Sequence, residues 1–203
     1  LVRACVDYKV ARLFAFSSVC VFSDNLTMLE EDKINDGPVY EANAAYGYAK
    51  RMVDAHIVAA KKQFGLENWC SIIPGNIFGP NDLFSIDKGH IIPAVMHKMF
   101  LAKQQGTDLK MIGDGLSLRE FIYVDDLARV IFELLNKDVP DKIIVSGRTE
   151  MSIRDVVSVM ADIAGFDGKI IWDATTPNGQ RSRPSSKERL DNLLSDFRYT
   201  SVR

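Results

Sequence analysis

An α/β fold on a largely parallel sheet is what this sequence predicts, on three observations. Short unbroken apolar runs recur at residues 13–17, 70–73, 143–146 and 170–172. Runs this short and without alternation read as strands covered on both faces, the habit of parallel sheets. Longer segments with apolar residues every three or four positions lie between them, and alternation of strand and helix is the pattern of parallel crossover units. Turn sequences such as Asp36-Gly37-Pro38 and Gly113-Asp114-Gly115 punctuate the chain.

Taken in order, residues 1–8 read as the end of a helix and 13–17 as the first strand. A long helix is expected over 44–64. Its apolar positions 46, 49, 53, 57, 60 and 64 step by three and four, with Arg51 and Asp54 on the charged face. Gly65 is placed to cap it. The strand over 70–73 ends at Pro74. Pro93 suits the first turn of a helix running to about residue 104. Strands follow at 109–112 and 120–124, the second leading into a helix to residue 135 capped by Asp125 or Asp126. Ser152 with Asp155 three positions on is the pattern of a capping box, for a helix ending near Gly165. A short last helix is expected around 190–194. From residue 77 onward loops lengthen and charge rises. The expected division is therefore 1–76 for the sheet domain and 77–203 for a smaller α/β lobe, with segments such as 120–146 returning to the first.

Composition excludes several classes. The 203 residues carry a net charge of −2 and an isoelectric point near 6.0, so no basic field recommends nucleic acid or an acidic membrane surface. No apolar run approaches the roughly 18 residues of a membrane span. Three widely spaced cysteines (Cys5, Cys20, Cys70) form no zinc pattern and read as reduced thiols, which predicts a cytoplasmic protein and no metal. The first residues, Leu1 to Cys5, show neither an initiator Met nor a signal-peptide pattern, so residue 1 is expected to be the middle of a longer protein.

The sharpest local signal is Tyr46-Gly47-Tyr48-Ala49-Lys50, the single Tyr-x3-Lys in a chain with six tyrosines. Residues four apart share a helix face, and an ammonium beside a phenol favours the phenolate. A phenol so tuned exchanges protons with a carbonyl or alcohol oxygen near neutral pH. Ser17 and Ser18 end the first apolar run, and open α/β sheets bind ligands at the carboxyl ends of their strands. A Tyr-x3-Lys alone is a common accident and a serine at a strand end is ordinary. The trio is more specific than either.

A serine near a strand end followed some thirty residues later by Tyr-x3-Lys resembles the short-chain dehydrogenase/reductases. Ile73 to Pro80, Gly89 to Pro93 and Gly113 to Asp126 resemble the extended branch that acts on nucleotide sugars. Within that branch the sequence is similar to the GDP-L-fucose synthase family over nearly its whole length, including Tyr48 to Met52, His97-Lys98 and Asp196 to Thr200. The resemblance implies an incomplete Rossmann-type doubly wound parallel sheet with a smaller carboxyl-terminal α/β substrate lobe. It implies NADP(H) as cofactor, a GDP-sugar substrate, and 3,5-epimerisation with 4-reduction of GDP-4-keto-6-deoxy-mannose.

Residue by residue, the resemblance assigns catalysis to Ser18, Cys20, Tyr46, Lys50 and His90. Inverting the carbons beside a ketone needs a base and an opposed acid, for which a thiol and an imidazole are competent; the family pattern gives Cys20 and His90, with His90 the acid. Lys50, Pro74, Asn76, Ile77 and His90 match cofactor positions. Asn76, Lys98, Arg119 and Arg183 match substrate positions, where arginine suits bidentate phosphate contact. Without the resemblance Cys20 reads as a small buried hydrophobe and each cation as a solvated charge. His56 falls on an exposed helix face and receives no role.

The sequence departs from the family at its amino-terminal glycine fingerprint: no GxGxxG or GxxGxxG occurs. The chain alone is expected to bind NADPH poorly, to be inactive, and to expose one edge of its sheet. Gly75 stands where the family has Thr, and Asn178 where it has Asp. The complete protein is expected to be a homodimer through the helices at 1–8 and 44–64. Competing readings are another nucleotide-sugar epimerase or dehydratase, disfavoured for dehydratases because no acidic pair follows Ser18, and a non-catalytic binding protein on the same fold.

Overall fold

The computed structural model describes residues 1–176 and 181–200; Asn178 lies outside the described residues. The order is α1 (Val2–Asp7), β1 (Leu13–Phe16), α2 (Ala44–Phe64), β2 (Trp69–Pro74), β3 (Asn76–Phe78), α3 (Ile91–Gln105), β4 (Leu109–Ile112), β5 (Leu118–Tyr123), α4 (Val124–Leu134), β6 (Lys142–Val145), β7 (Glu150–Ser152), α5 (Ile153–Ala164), β8 (Ile170–Asp173) and α6 (Glu188–Leu193). Short 3-10 turns fill the long connection between β1 and α2.

Among the described residues the strands form three small sheets, β1-β2-β6, β3-β5-β7 and β4-β8. Every pairing is parallel except β5 with β7. In the first sheet Leu13 faces Trp69 and Ser71 faces Lys142. Its central strand β2 is buried at all six positions, which is why its sequence runs apolar without alternation. Among the described residues β1 has a single neighbour, so its other edge carries no strand.

Four apolar clusters hold the chain together. One side of the first sheet packs Cys70, Ile72, Ile143 and Val145 against Leu127, Val130 and Leu134 of α4 and Leu190 of α6. Val21, Phe22, Leu29 and Ile34 of the β1–α2 connection cover Ile73 and Ile144. Val95 and Met99 of α3 meet Val157 and Ala161 of α5 over β4. Ile57, Ala60 and Trp69 receive Val2, Cys5 and Val6 of α1.

Local chemistry sets most boundaries. α2 ends where Gly65 takes a left-handed φ of 67°, and α5 starts with the reciprocal bonds of Ser152 and Asp155. Three expectations are corrected. No side chain caps α4; Asp126 instead turns inward, accepting from Thr200 N, Thr200 Oγ1 and Arg129. On α2 the packed residues are Gly47, Asp54, Ile57 and Ala60, while Tyr46, Ala49 and Phe64 are exposed. Asp54 is buried because Lys142 of β6 reaches it at 2.9 Å. β2 starts one residue earlier than expected, at Trp69, and ends at Pro74 as expected, with β3 beginning two residues later.

Candidate active site

β1 delivers two serines to its carboxyl end. Ser17 is buried, its hydroxyl donating to Lys50 O at 3.2 Å and its N–H to Ile72 O at 2.7 Å. Ser18 leaves the strand in extended conformation and caps the 3-10 turn Val19–Val21, its Oγ accepting from Cys20 N at 3.2 Å. The serine hydroxyl therefore keeps its own proton to donate elsewhere.

The first turn of α2 lies against this corner. A Cβ on Gly47 would sit 2.7 Å from Cys20 O and 3.1 Å from Val39 Cβ, so only glycine lets the helix approach so closely. That contact fixes Tyr46 and Lys50, on either side of Gly47, relative to Cys20. Lys50 Nζ donates to Phe16 O at 3.0 Å and lies 5.8 Å from the centroid of the Tyr46 ring. Tyr46 is 51% and Phe16 44% exposed. Asn43, just before the helix, directs Nδ2 toward Cys20 Sγ at 4.0 Å.

Next to this corner is a cavity of about 180 Å³ lined by Cys20, Asn43, Asn76, Arg119, Glu120 and Arg183, with Val19, Leu29, Tyr40, Gly75 and Ser146 completing the wall. Asn76 Nδ2 is tied to Glu120 O at 2.9 Å. Arg183 donates through one terminal nitrogen to Phe22 O and Ser23 O, and its buried Nε carries no hydrogen-bond partner among the described residues. Burial pushes the pKa of Arg119 down, against the opposing pull of Glu150 and of a thiolate at Cys20. Arg183 is pushed down by burial and by Arg119, with Cys20 and Asp24 opposing. Both guanidinia stay charged at any physiological pH, so the cavity joins a thiol to two partly desolvated cations.

The sequence-derived residues thus fall into two groups. Cys20, Asn76, Arg119 and Arg183 share one cavity, with Ser18, Tyr46 and Lys50 at its β1 side. His90 is exposed at the start of α3, its backbone oxygen accepting from Ala94 N, and it does not line the cavity. Lys98, half-buried on α3, does not line it either. Pro74 is buried in β2, and Ile77 pairs with Ile122 while its side chain packs on the core. Gly75 has a local reason: a Cβ there would lie 2.1 Å from Ser146 Oγ. Sequence reasoning missed Asn43, Glu120 and Glu150. The available signal for Glu120 was a carboxylate within an otherwise apolar extended run.

Comparison with known proteins sets this geometry in a lineage. Residues 1–147 match the model of the NAD dependent epimerase/dehydratase family. The chain belongs to that family. It is 34% identical over its whole length to a GDP-L-fucose synthase of Dictyostelium discoideum, of which it spans 64%. It is 30% identical over 99% of its length to a GDP-L-colitose synthase of Yersinia pseudotuberculosis, of which it spans 65%. The crystal structure of a GDP-L-fucose synthetase from Naegleria fowleri bound to NADP superposes with a TM-score of 0.91 at 33% identity, over 98% of this chain and 64% of that one. The similarity of fold extends over nearly the whole of this chain, a Rossmann-type α/β framework.

The residues present suit part of a nicotinamide cofactor. Lys50 of α2 reaches the carboxyl end of β1, where it spends one of an ammonium's three donors on Phe16 O, beside a half-exposed tyrosine. No glycine-rich phosphate loop is encoded within the 203 residues.

Proposed function

We propose that this chain supplies the catalytic core and substrate pocket of a GDP-L-fucose synthase, an NADP-dependent enzyme that epimerises C3 and C5 and reduces C4 of GDP-4-keto-6-deoxy-D-mannose. The observation that carries this reading is the lining of one small cavity by Cys20 together with Arg119 and Arg183, beside the Tyr46–Lys50 corner. At about 180 Å³ the cavity is smaller than the ~300 Å³ lower end of ordinary ligand pockets, which suits a sugar ring with its diphosphate at the wall and the nucleoside outside. Similarity to relatives named for GDP-sugar synthesis supports the substrate class.

In this reading Cys20 Sγ removes a proton from a carbon beside the ketone, and His90 returns one from the opposite face. Arg119, Arg183 and Lys98 hold the diphosphate. Ser18 gives its hydroxyl proton in a hydrogen bond to the ketone oxygen, the direction its bond from Cys20 N leaves open. Tyr46 protonates that oxygen, with Lys50 beside it and in reach of the nicotinamide ribose. Asn76, Pro74 and Ile77 border the nicotinamide. The cofactor, when bound, supplies the hydride for C4. Residues 1–76 form the coenzyme-side domain and 77–203 chiefly the substrate lobe. The protein works in the cytoplasm as a homodimer, through a surface including Tyr48 and Met52 of α2, which are about half exposed.

The test is NADPH oxidation with GDP-4-keto-6-deoxy-mannose, by this chain and by the chain joined to the coenzyme-binding segment of its Naegleria relative. Turnover by the extended protein, abolished by Tyr46→Phe, is the expected result. An inert extended protein sinks the reading, and a product reduced at C4 but not inverted at C3 or C5 replaces it with a 4-reductase.

A further inference from the structure

Two carboxylates sit directly opposite each other across the antiparallel strand pair β5–β7. Glu120 of β5 is in register with Glu150 of β7, so both side chains leave the same face of the sheet. Like charges in that relation destabilise a sheet, and Glu120 is buried to 6% exposure. Such an arrangement persists only where each carboxylate has partners of its own.

The partners belong to one stretch of backbone. Glu120 accepts from Ser185 N at 3.2 Å, from Ser185 Oγ at 2.5 Å and from Lys187 Nζ at 2.7 Å. Glu150 accepts from Arg183 N at 3.1 Å and Ser182 Oγ at 2.7 Å. Between them the two carboxylates grip the strap 182–187 at residues 182, 183, 185 and 187. On its other side the strap runs along Leu29, which donates to Pro184 O and accepts from Ser186 N, both at 2.8 Å. Arg183 stands at the centre of these bonds, its guanidinium on the cavity wall. Glu120 also fixes the pocket from behind, since its backbone oxygen holds the Asn76 amide.

We propose that Glu120 and Glu150 form a two-point clamp on the strap 182–187 whose role is to present Arg183 to the anionic part of the substrate. Both are positioning residues, and the proposal rests on the GDP-sugar reading for the identity of that anion. The clamp costs a like-charge pair and a buried carboxylate, and gains an arginine held in place before ligand arrives. Lys187 answers part of the charge: burial pushes its pKa down while Glu120 holds it up.

The clamp and the arginine act through one another, so their effects are not additive. GDP is the probe, titrated calorimetrically into the full chain. Wild type binds GDP, and Arg183→Ala and Glu120→Ala each weaken binding by about tenfold or more, the loss expected of one charged hydrogen bond. In the Arg183→Ala background, adding Glu120→Ala changes affinity less than about twofold, because the arginine it served is gone. Glu150→Gln, which keeps an acceptor, retains most of the affinity; Glu150→Ala does not. A full further loss in the double variant, or wild-type affinity in Glu120→Ala, overturns the clamp. Failure of wild type to bind GDP overturns the substrate reading instead. Hydrogen exchange at the Ser185 amide then judges the clamp alone: faster exchange in Glu120→Ala upholds it and unchanged protection refutes it. A melting temperature for each variant separates loss of the clamp from loss of the fold.

Discussion

Cys20 and Cys70 are both unpaired thiols, carried at the two ends of the same short stretch of sheet. Cys70 lies inside β2, fully buried between Ile72, Ile143 and the helices that cover them. Burial pushes its thiol up to about 12, so it behaves as a small apolar side chain. Cys20 has left the strands, is half-buried in a 3-10 turn, and faces Asn43 and two guanidinia across a cavity. Residue type is the same, so the difference in role comes from position: within a parallel strand the chain is covered on both faces, while beyond its carboxyl end backbone and cavity meet.

The largest expected effect is at the pocket end, where in the coenzyme-segment extended protein Tyr46→Phe lowers kcat by at least about a hundredfold, the usual weight of a general acid, with the melting temperature unchanged. In the interior the largest effect is on stability. Asp54 is buried against Lys142, and Asp54 Oδ1 has no hydrogen-bond partner among the described residues. Lys142→Met strands that carboxylate and is expected to cost about 3–5 kcal/mol, read by urea denaturation. Alkylation with iodoacetamide at pH 8 separates the cysteines themselves. Cys70 holds roughly one thiolate in ten thousand there, so mass spectrometry should find Cys20 modified while Cys70 stays intact.

The smallest effect is a pH dependence. Burial raises the Glu31 pKa above 4.5, against the lowering by Ile144 N–H and Arg189. A carboxylate whose folded pKa is raised favours the fold most below its unfolded value, and that contribution is lost as pH rises through the folded value. Glu31→Gln should therefore flatten the decline of stability as pH rises through and beyond the ordinary carboxylate range. An unchanged pH profile of the melting temperature refutes this.

How far the sequence reached depended on the range of the interaction responsible. The whole of α2 and its Gly65 cap were legible, as were the Ser152–Asp155 box and the strands of the first sheet, because each is set by neighbours within a few residues. Strands β3 and β7 were not, since three residues carry no periodicity. Asp54 was read as exposed because Lys142 is 88 positions away. Asp125 or Asp126 was read as a cap, and the inward turn of Asp126 was missed because Thr200, its partner, is 74 positions away. The pocket residues Cys20, Arg119 and Arg183 were found only through family resemblance, and nothing local to Glu150 announced its bond to Arg183 N.

The strap 182–187 also bears on how the protein is made. Arg183 bonds Phe22 O across 161 positions, and Leu29 is seated on Pro184 and Ser186. A ribosome delivers residues from the amino terminus at some 5–20 per second, so β1, α2 and β2 emerge well before the strap that closes the cavity. The early elements close short loops and the strap closes a long one, the order in which loop entropy favours assembly. The growing polypeptide therefore possesses a sheet before it possesses a pocket, and the cavity between Cys20 and Arg183 is completed only once the strap has emerged.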